Sequence, residues 1–202
     1  NQNKNKLTQL TKNYLIGKYE CEDTIIKLVK KGFKAKILRL PIIFGKDEHT
    51  GRLDFYIERI KDDKPIIQIK NKTTKIQIGC SENIKTAFIK WLKICAEKQI
   101  TIWEALPNQG IETKSFIKIL AKSMNQKINF VDISQNELLN FLPEHLEFEP
   151  FWREQELQIS SSNIYKFINL TPNQFNNCSF GNKLKLKSSL RQKEINYLAK
   201  YQ

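Results

Sequence analysis

The stretch at 36–44, KILRLPIIF, constrains this chain more than any other feature. Ile37, Leu38, Leu40, Ile42, Ile43 and Phe44 occupy both alternating sets of positions, so a strand built from them is apolar on both faces. Strands of that kind belong to parallel sheets sheathed by helices. The preceding segment fits: over residues 14–31, Cys21, Ile25, Leu28 and Val29 recur at three- and four-residue spacing, predicting a helix with one buried stripe and Gly32 as its stop. Helix followed by doubly covered strand is half of a crossover unit. The expectation is that its remaining sheet partners come from a segment or partner chain outside this sequence.

Helix and strand signals then alternate, which makes the fold class α/β. A Gly- and charge-containing loop at 45–51 leads into a helix over 53–61, and PIIQIK and KIQIG flank 71–74 as a predicted hairpin. Residues 83–97 give the clearest amphipathic helix, with Ile84, Ala87, Phe88, Trp91, Leu92 and Cys95 on one side. Strand 100–106, helix 112–123, strand 127–133 and helix 134–141 follow, with Ser134 and Glu137 in capping-box spacing. Beyond Pro143 the pattern weakens to one helix candidate at 162–169 and a basic tail expected to fray.

Composition narrows the function classes. No apolar run reaches the roughly 18 residues that cross a bilayer, and the polar opening lacks a secretory core; a cytoplasmic protein, with no membrane partner, is expected. The start at Asn1 reads as a cut. Four scattered cysteines without a CxxC pair suggest reduced thiols, with no metal site. The net charge of +13 raises nucleic acid as a partner, but the lysines are spread through every segment and read as a solvated surface.

The chemistry-bearing pattern is YLIGKYECE, which sets Tyr14 and Lys18 four apart on one helix face. A neighbouring ammonium favours the phenolate of a tyrosine and makes it usable as an acid–base group near neutrality. With Glu22, the Gly32 break and a strand carrying Arg39, Pro41, Phe44 and Gly45, the chain resembles the extended short-chain dehydrogenase/reductases of the NAD(P)-dependent epimerase/dehydratase family over residues 14–176.

That resemblance implies the carboxy-terminal part of a Rossmann-like parallel sheet with a small mixed α/β substrate lobe. Residues 1–45 would be the remnant of the dinucleotide-binding domain, 46–176 the substrate lobe with interleaved strands, and 177–202 the basic tail. It implies Tyr14 as the catalytic acid/base and Lys18 as its tuning group and ribose ligand. Pro41, Ile42 and Ile43 would line the NAD or NADP nicotinamide, and Ile42, Arg52 and Trp152 would face a nucleotide-sugar or related substrate. Arg39 would be structural, and a homodimer through the Tyr14–Lys18 helix is a possible assembly. The sequence departs from the family with Ile42 in place of Asn, Asn83 in place of Asp, Lys85 at a small-residue position and Lys46 in place of Pro.

No two of the seven glycines stand close enough for the Gly-rich turn that admits a pyrophosphate, nor for a P-loop. The function expected is therefore NAD(P)-dependent oxidoreductase, epimerase or dehydratase chemistry, incomplete in this chain alone. The alternatives are a non-catalytic remnant or binding module, a thioester-reductase-like enzyme suggested by GKDEHTG, and a basic nucleic-acid-binding protein. Asp62/Asp63 and Glu147/Glu149 read as solvated pairs, and His49 and His145 as surface or capping residues.

Overall fold

Gly32 ends the first helix in a left-handed conformation, φ 96°, that side-chain-bearing residues disfavour. In the computed structural model, which describes residues 2–45, 50–95, 102–104, 110–150 and 189–201, that helix is α1 (Gln2–Lys30), longer at its start than the apolar spacing predicts. The amides of Gly32 and Phe33 donate to Val29 O and Leu28 O at 3.0 and 3.1 Å. The chain then reverses into β1 (Ile37–Arg39).

KILRLPIIF is not one strand. Pro41 has no N–H to offer a ladder, and the segment divides around it into β1 and β2 (Ile42–Phe44). β1 runs parallel to β6 (Ile102–Glu104), with Ile37 opposite Ile102, while β2 runs parallel to β5 (Ile78–Cys80), with Ile42 opposite Ile78. Among the described residues β6 is the only ladder partner of β1. The expected double cover is also missing there: Leu38 and Arg39 are half-buried and Leu40 is exposed. None of the described side chains of α1 is buried, so the predicted stripe lies open, with Cys21 and Leu28 exposed and Ile25 and Val29 half-buried.

The strand that is covered on both faces is β3 (Ile66–Ile69), which runs parallel to β8 (Phe130–Ile133). Ile66 enters one core with Phe44, Tyr56, Ile60, Phe116 and Leu120. Its neighbour Ile67 enters a second core with Ile133, Leu138, Leu142 and Leu198. Adjacent residues on a strand point to opposite faces, so the two cores are the two sides of one sheet. α2 (Arg52–Lys61) and α4 (Thr113–Ser123) cover the first side. α5 (Gln135–Phe141) and α7 (Ser189–Leu198) cover the second.

The hairpin across 71–74 does not form. β3 pairs with β8, β4 (Lys75–Ile76) pairs antiparallel with β7 (Ile111–Glu112), and β5 pairs with β2. Asn71 does turn the chain, with φ 57°. Alternation reports which faces are buried but not which strand lies alongside.

α3 (Ser81–Cys95) buries Ile84, Ala87 and Trp91 but leaves Phe88 and Leu92 exposed, so only one edge of its expected apolar side is covered among the described residues. Its contact with β5 requires Gly79, where a Cβ would stand 3.0 Å from Pro41 Cγ and 2.9 Å from Ile84 Cδ1. α5 starts as its capping box predicts, Ser134 Oγ accepting from Glu137 N at 3.2 Å. α6 (Pro143–Phe148) follows directly.

Two further expectations are corrected. The tail segment Ser189–Leu198 is not frayed: α7 buries Leu190, Arg191, Glu194 and Leu198, because opposite charges elsewhere in the chain await its polar residues. Cys80 is disulfide-bonded, whereas Cys21 is a free, exposed thiol; wide spacing in sequence places no limit on approach in space. The helix candidate at 162–169 lies outside the described residues.

Candidate functional site

Tyr14, Lys18 and Glu22 follow one another at four-residue intervals and so share a face of α1. Glu22 fixes that face. Its carboxylate accepts from Arg39 Nε at 3.0 Å and Arg39 Nη2 at 2.6 Å, while Arg39 Nη1 donates to Glu104 Oε1 at 3.1 Å. The bonds from Arg39 to Glu22, working against partial burial and joined by those to Glu104, push the guanidinium pKa further above its ordinary value. One arginine thus ties α1, β1 and β6 together.

Arg39, at the end of β1, meets a residue eight positions before the end of α1, so the strand runs back along the helix. At 1.5 Å per residue, Lys18 and Tyr14 lie roughly 6 and 12 Å further along than Glu22, past the carboxyl end of β1. Open α/β sheets bind ligands outside that end. Tyr14 is 64% exposed, Lys18 is exposed, and the Lys18 ammonium stands 5.9 Å from the Tyr14 ring centre.

Pro41 is buried against Gly79, Ile42 N donates to Gln77 O at 3.1 Å, and Ile43 is exposed. Arg52 stands at the start of α2 and donates to Thr50 Oγ1 at 3.0 Å. Trp152 and residues 46–49, including His49, lie outside the described residues.

A polar cleft of about 280 Å³ opens elsewhere, beyond the carboxyl ends of β3 and β8. Its rim carries the cations Lys70, Lys72 and Lys114, the carboxylates Glu112, Asp132 and Glu149, and the polar groups of Asn71, Thr73 and Thr74. The volume is close to the lower bound of small-molecule sites, about 300 Å³. The loop that forms one wall is pinned by Thr113, whose amide and hydroxyl both donate to Thr74 O, at 3.0 and 3.1 Å. None of Tyr14, Lys18, Pro41, Ile42, Ile43 or Arg52 lines this cleft. Sequence reasoning missed it because Lys70, Lys72 and Lys114 resemble the chain's other lysines; only the Asn71 turn marks them.

On the wall of the cleft, Glu149 accepts from the Tyr56 hydroxyl at 3.1 Å. Burial raises the Glu149 carboxyl above the usual range, and the neighbouring His145 charge and the Tyr56 bond oppose that rise. His145 is therefore buried where a surface or capping place is expected, and Glu149 is half-buried where a solvated one is expected. His145, 1% exposed, places Nδ1 2.8 Å from Glu194 Oε1 of α7, and Arg59 Nη2 donates to the same oxygen at 2.5 Å. Arg191 Nη1 donates to Glu194 Oε2 at 2.9 Å, and Arg191 Nε donates to Asp62 at 2.6 Å. Arg59, Arg191 and His145 thus gather around Glu194, with Asp62 at the edge of the cluster and Glu58 3.5 Å from Arg59. Among the described residues no group of ligating side chains suited to a metal occurs.

No protein-family model and no curated protein matches the sequence. Solved structures do match. The UDP-N-acetylglucosamine 4-epimerase from Methanobrevibacter ruminantium M1, in complex with UDP-N-acetylmuramic acid, aligns over 91% of this chain and 52% of its own length, with TM-score 0.51 and 14% identity. The UDP-N-acetylglucosamine 4-epimerase from Bacillus cereus aligns over 59% of this chain and 41% of its own, with TM-score 0.48 and 15% identity. dTDP-4-dehydrorhamnose reductase from Bacillus anthracis, in complex with NADP, aligns over 52% and 36%, with TM-score 0.39 and 14% identity. The chain thus spans about half or less of the length of these structures. The resemblance to the NAD(P)-dependent epimerase/dehydratase family holds at the level of fold: a mixed α/β, Rossmann-like arrangement with short parallel strands.

Proposed function

We propose that this chain supplies the acid–base pair and the substrate lobe of an NAD(P)-dependent epimerase, dehydratase or reductase acting on a nucleotide-sugar or related substrate. The observation that carries the reading is the shared face of Tyr14, Lys18 and Glu22, held by Arg39 at the carboxyl end of β1. Tyr14 would exchange a proton with a substrate hydroxyl, and Lys18 would hold a ribose hydroxyl of the dinucleotide, whose nicotinamide supplies the hydride chemistry when bound. Pro41, Ile42 and Ile43 would border that ring, and Arg52 and Trp152 the substrate.

These residues would serve the nicotinamide–ribose end of the cofactor only. The glycines of the sequence offer no turn for its pyrophosphate, so the reading requires a dinucleotide-binding segment or partner chain. That segment would also cover the open face of α1, in competition with a second copy of the chain. The three lysines on the rim of the cleft, balanced by three carboxylates, offer donors to an anionic, phosphorylated group of a substrate. Among the described residues no helix is long and apolar enough to cross a membrane. A cytoplasmic setting belongs to the reading, and the Cys80 disulfide is the observation that speaks against it.

The test joins the chain to such a segment and supplies NAD⁺ with UDP-N-acetylglucosamine or other nucleotide-sugars. Oxidation or inversion at a sugar carbon, followed by nicotinamide absorbance and by NMR, is expected. Intact substrate with every nucleotide-sugar tried, in a folded and cofactor-loaded protein, would overturn the proposal.

A further inference from the structure

We infer that α7 positions one wall of the polar cleft through a relay from the buried Glu194 and His145 to the half-buried Glu149, and that Glu149 is an acceptor of the cleft for hydroxyl or amide groups of its ligand. The second half rests on the proposed function; the relay stands on geometry alone. Glu194 Oε1 holds the His145 ring at 2.8 Å, and His145 O in turn accepts from Glu149 N at 2.9 Å, where α6 ends. Among the described residues the Tyr56 hydroxyl, at 3.1 Å, holds the Glu149 carboxylate from the other side. α6 has six residues, too few to keep its shape unaided. Its register therefore depends on the ring that α7 grips.

The rim explains why this carboxylate selects a ligand. Lys70, Lys72 and Lys114, the last also 3.6 Å from Asp132, offer donors to phosphate oxygens, whereas Glu149, like Glu112 and Asp132 on the same rim, repels them and accepts from neutral donors. A molecule with an anionic part and a hydroxylated or amide part satisfies both. A bare anion satisfies only the lysines.

The experiment compares UDP-N-acetylglucosamine with inorganic pyrophosphate by calorimetric titration of the full chain and its Glu149→Gln, Glu194→Gln and doubly substituted forms. Glu149→Gln is expected to weaken the nucleotide-sugar about tenfold and to leave pyrophosphate unchanged or tighter, the size of one lost charge-assisted hydrogen bond. Glu194→Gln should do the same from a distance, and add nothing in the Glu149→Gln background. Additive effects in the double variant would overturn the relay, because a general loss of structure is indifferent to Glu149. Should the unaltered chain bind neither probe, the ligand half of the inference fails with the proposed function. Hydrogen exchange then judges the relay: faster exchange of the Glu149 amide in Glu194→Gln, with α3 unchanged, sustains it, and unchanged exchange overturns it.

Discussion

Glu194 lies within hydrogen-bonding distance of both Arg59 and His145, and exchanging it for glutamine preserves its shape while removing its charge. The residue is fully buried. Burial alone would raise its carboxyl, but the bond to His145 and the charge of Arg59 overcome that and hold it down at about 2. Measured from an ordinary 4.5, such a gap corresponds to roughly 3 kcal/mol. An independent estimate agrees, since removing one partner of a buried pair costs about 3–5 kcal/mol. Because the folded value lies below the unfolded one, the folded state favours the ionised form. The stabilisation is complete above pH 4.5 and disappears as pH falls towards 2. Urea unfolding of both proteins, stepped from pH 7 to pH 2, reads the effect directly. At pH 7 Glu194→Gln should be about 3 kcal/mol less stable, and the gap should close towards pH 2. A gap that stays constant across this range, or is absent at pH 7, would refute the electrostatic reasoning.

Glu149 carries the opposite sign: its folded value is raised, so Glu149→Gln should stabilise the chain at neutral pH and lose that advantage in acid, in the same unfolding series. Ile66→Ala and Ile67→Ala open holes in different cores and should each cost about 2–5 kcal/mol, whereas Leu38→Ala, at a half-buried site, should cost less. Gly79→Ala pushes a methyl against Pro41 and Ile84 and should destabilise by about 1–3 kcal/mol, seen as a lowered thermal midpoint.

Local signals in the sequence survived folding where the interaction itself is local. The Gly32 stop, the Ser134 cap and the helix at 113–123 form as their residues predict. The Tyr14–Lys18 spacing gives a common helix face for the same reason. What failed depended on partners far along the chain. Both PIIQIK and KILRLPIIF are apolar on two faces, yet only β3 receives two cores, and the second is completed by Leu198, some 130 residues away. His145 reads as a surface residue until Glu194 arrives beside it. The cleft escaped notice because its lysines become a rim only when β3, α4 and β8 meet.

The proposed chemistry stands or falls on Tyr14. In the chain joined to a dinucleotide-binding segment, turnover of a nucleotide-sugar by Tyr14→Phe should drop about 10²–10⁴-fold, with unfolding unchanged, since the hydroxyl lies on a side chain that is 64% exposed. Turnover equal to that of the unaltered protein would contradict the account.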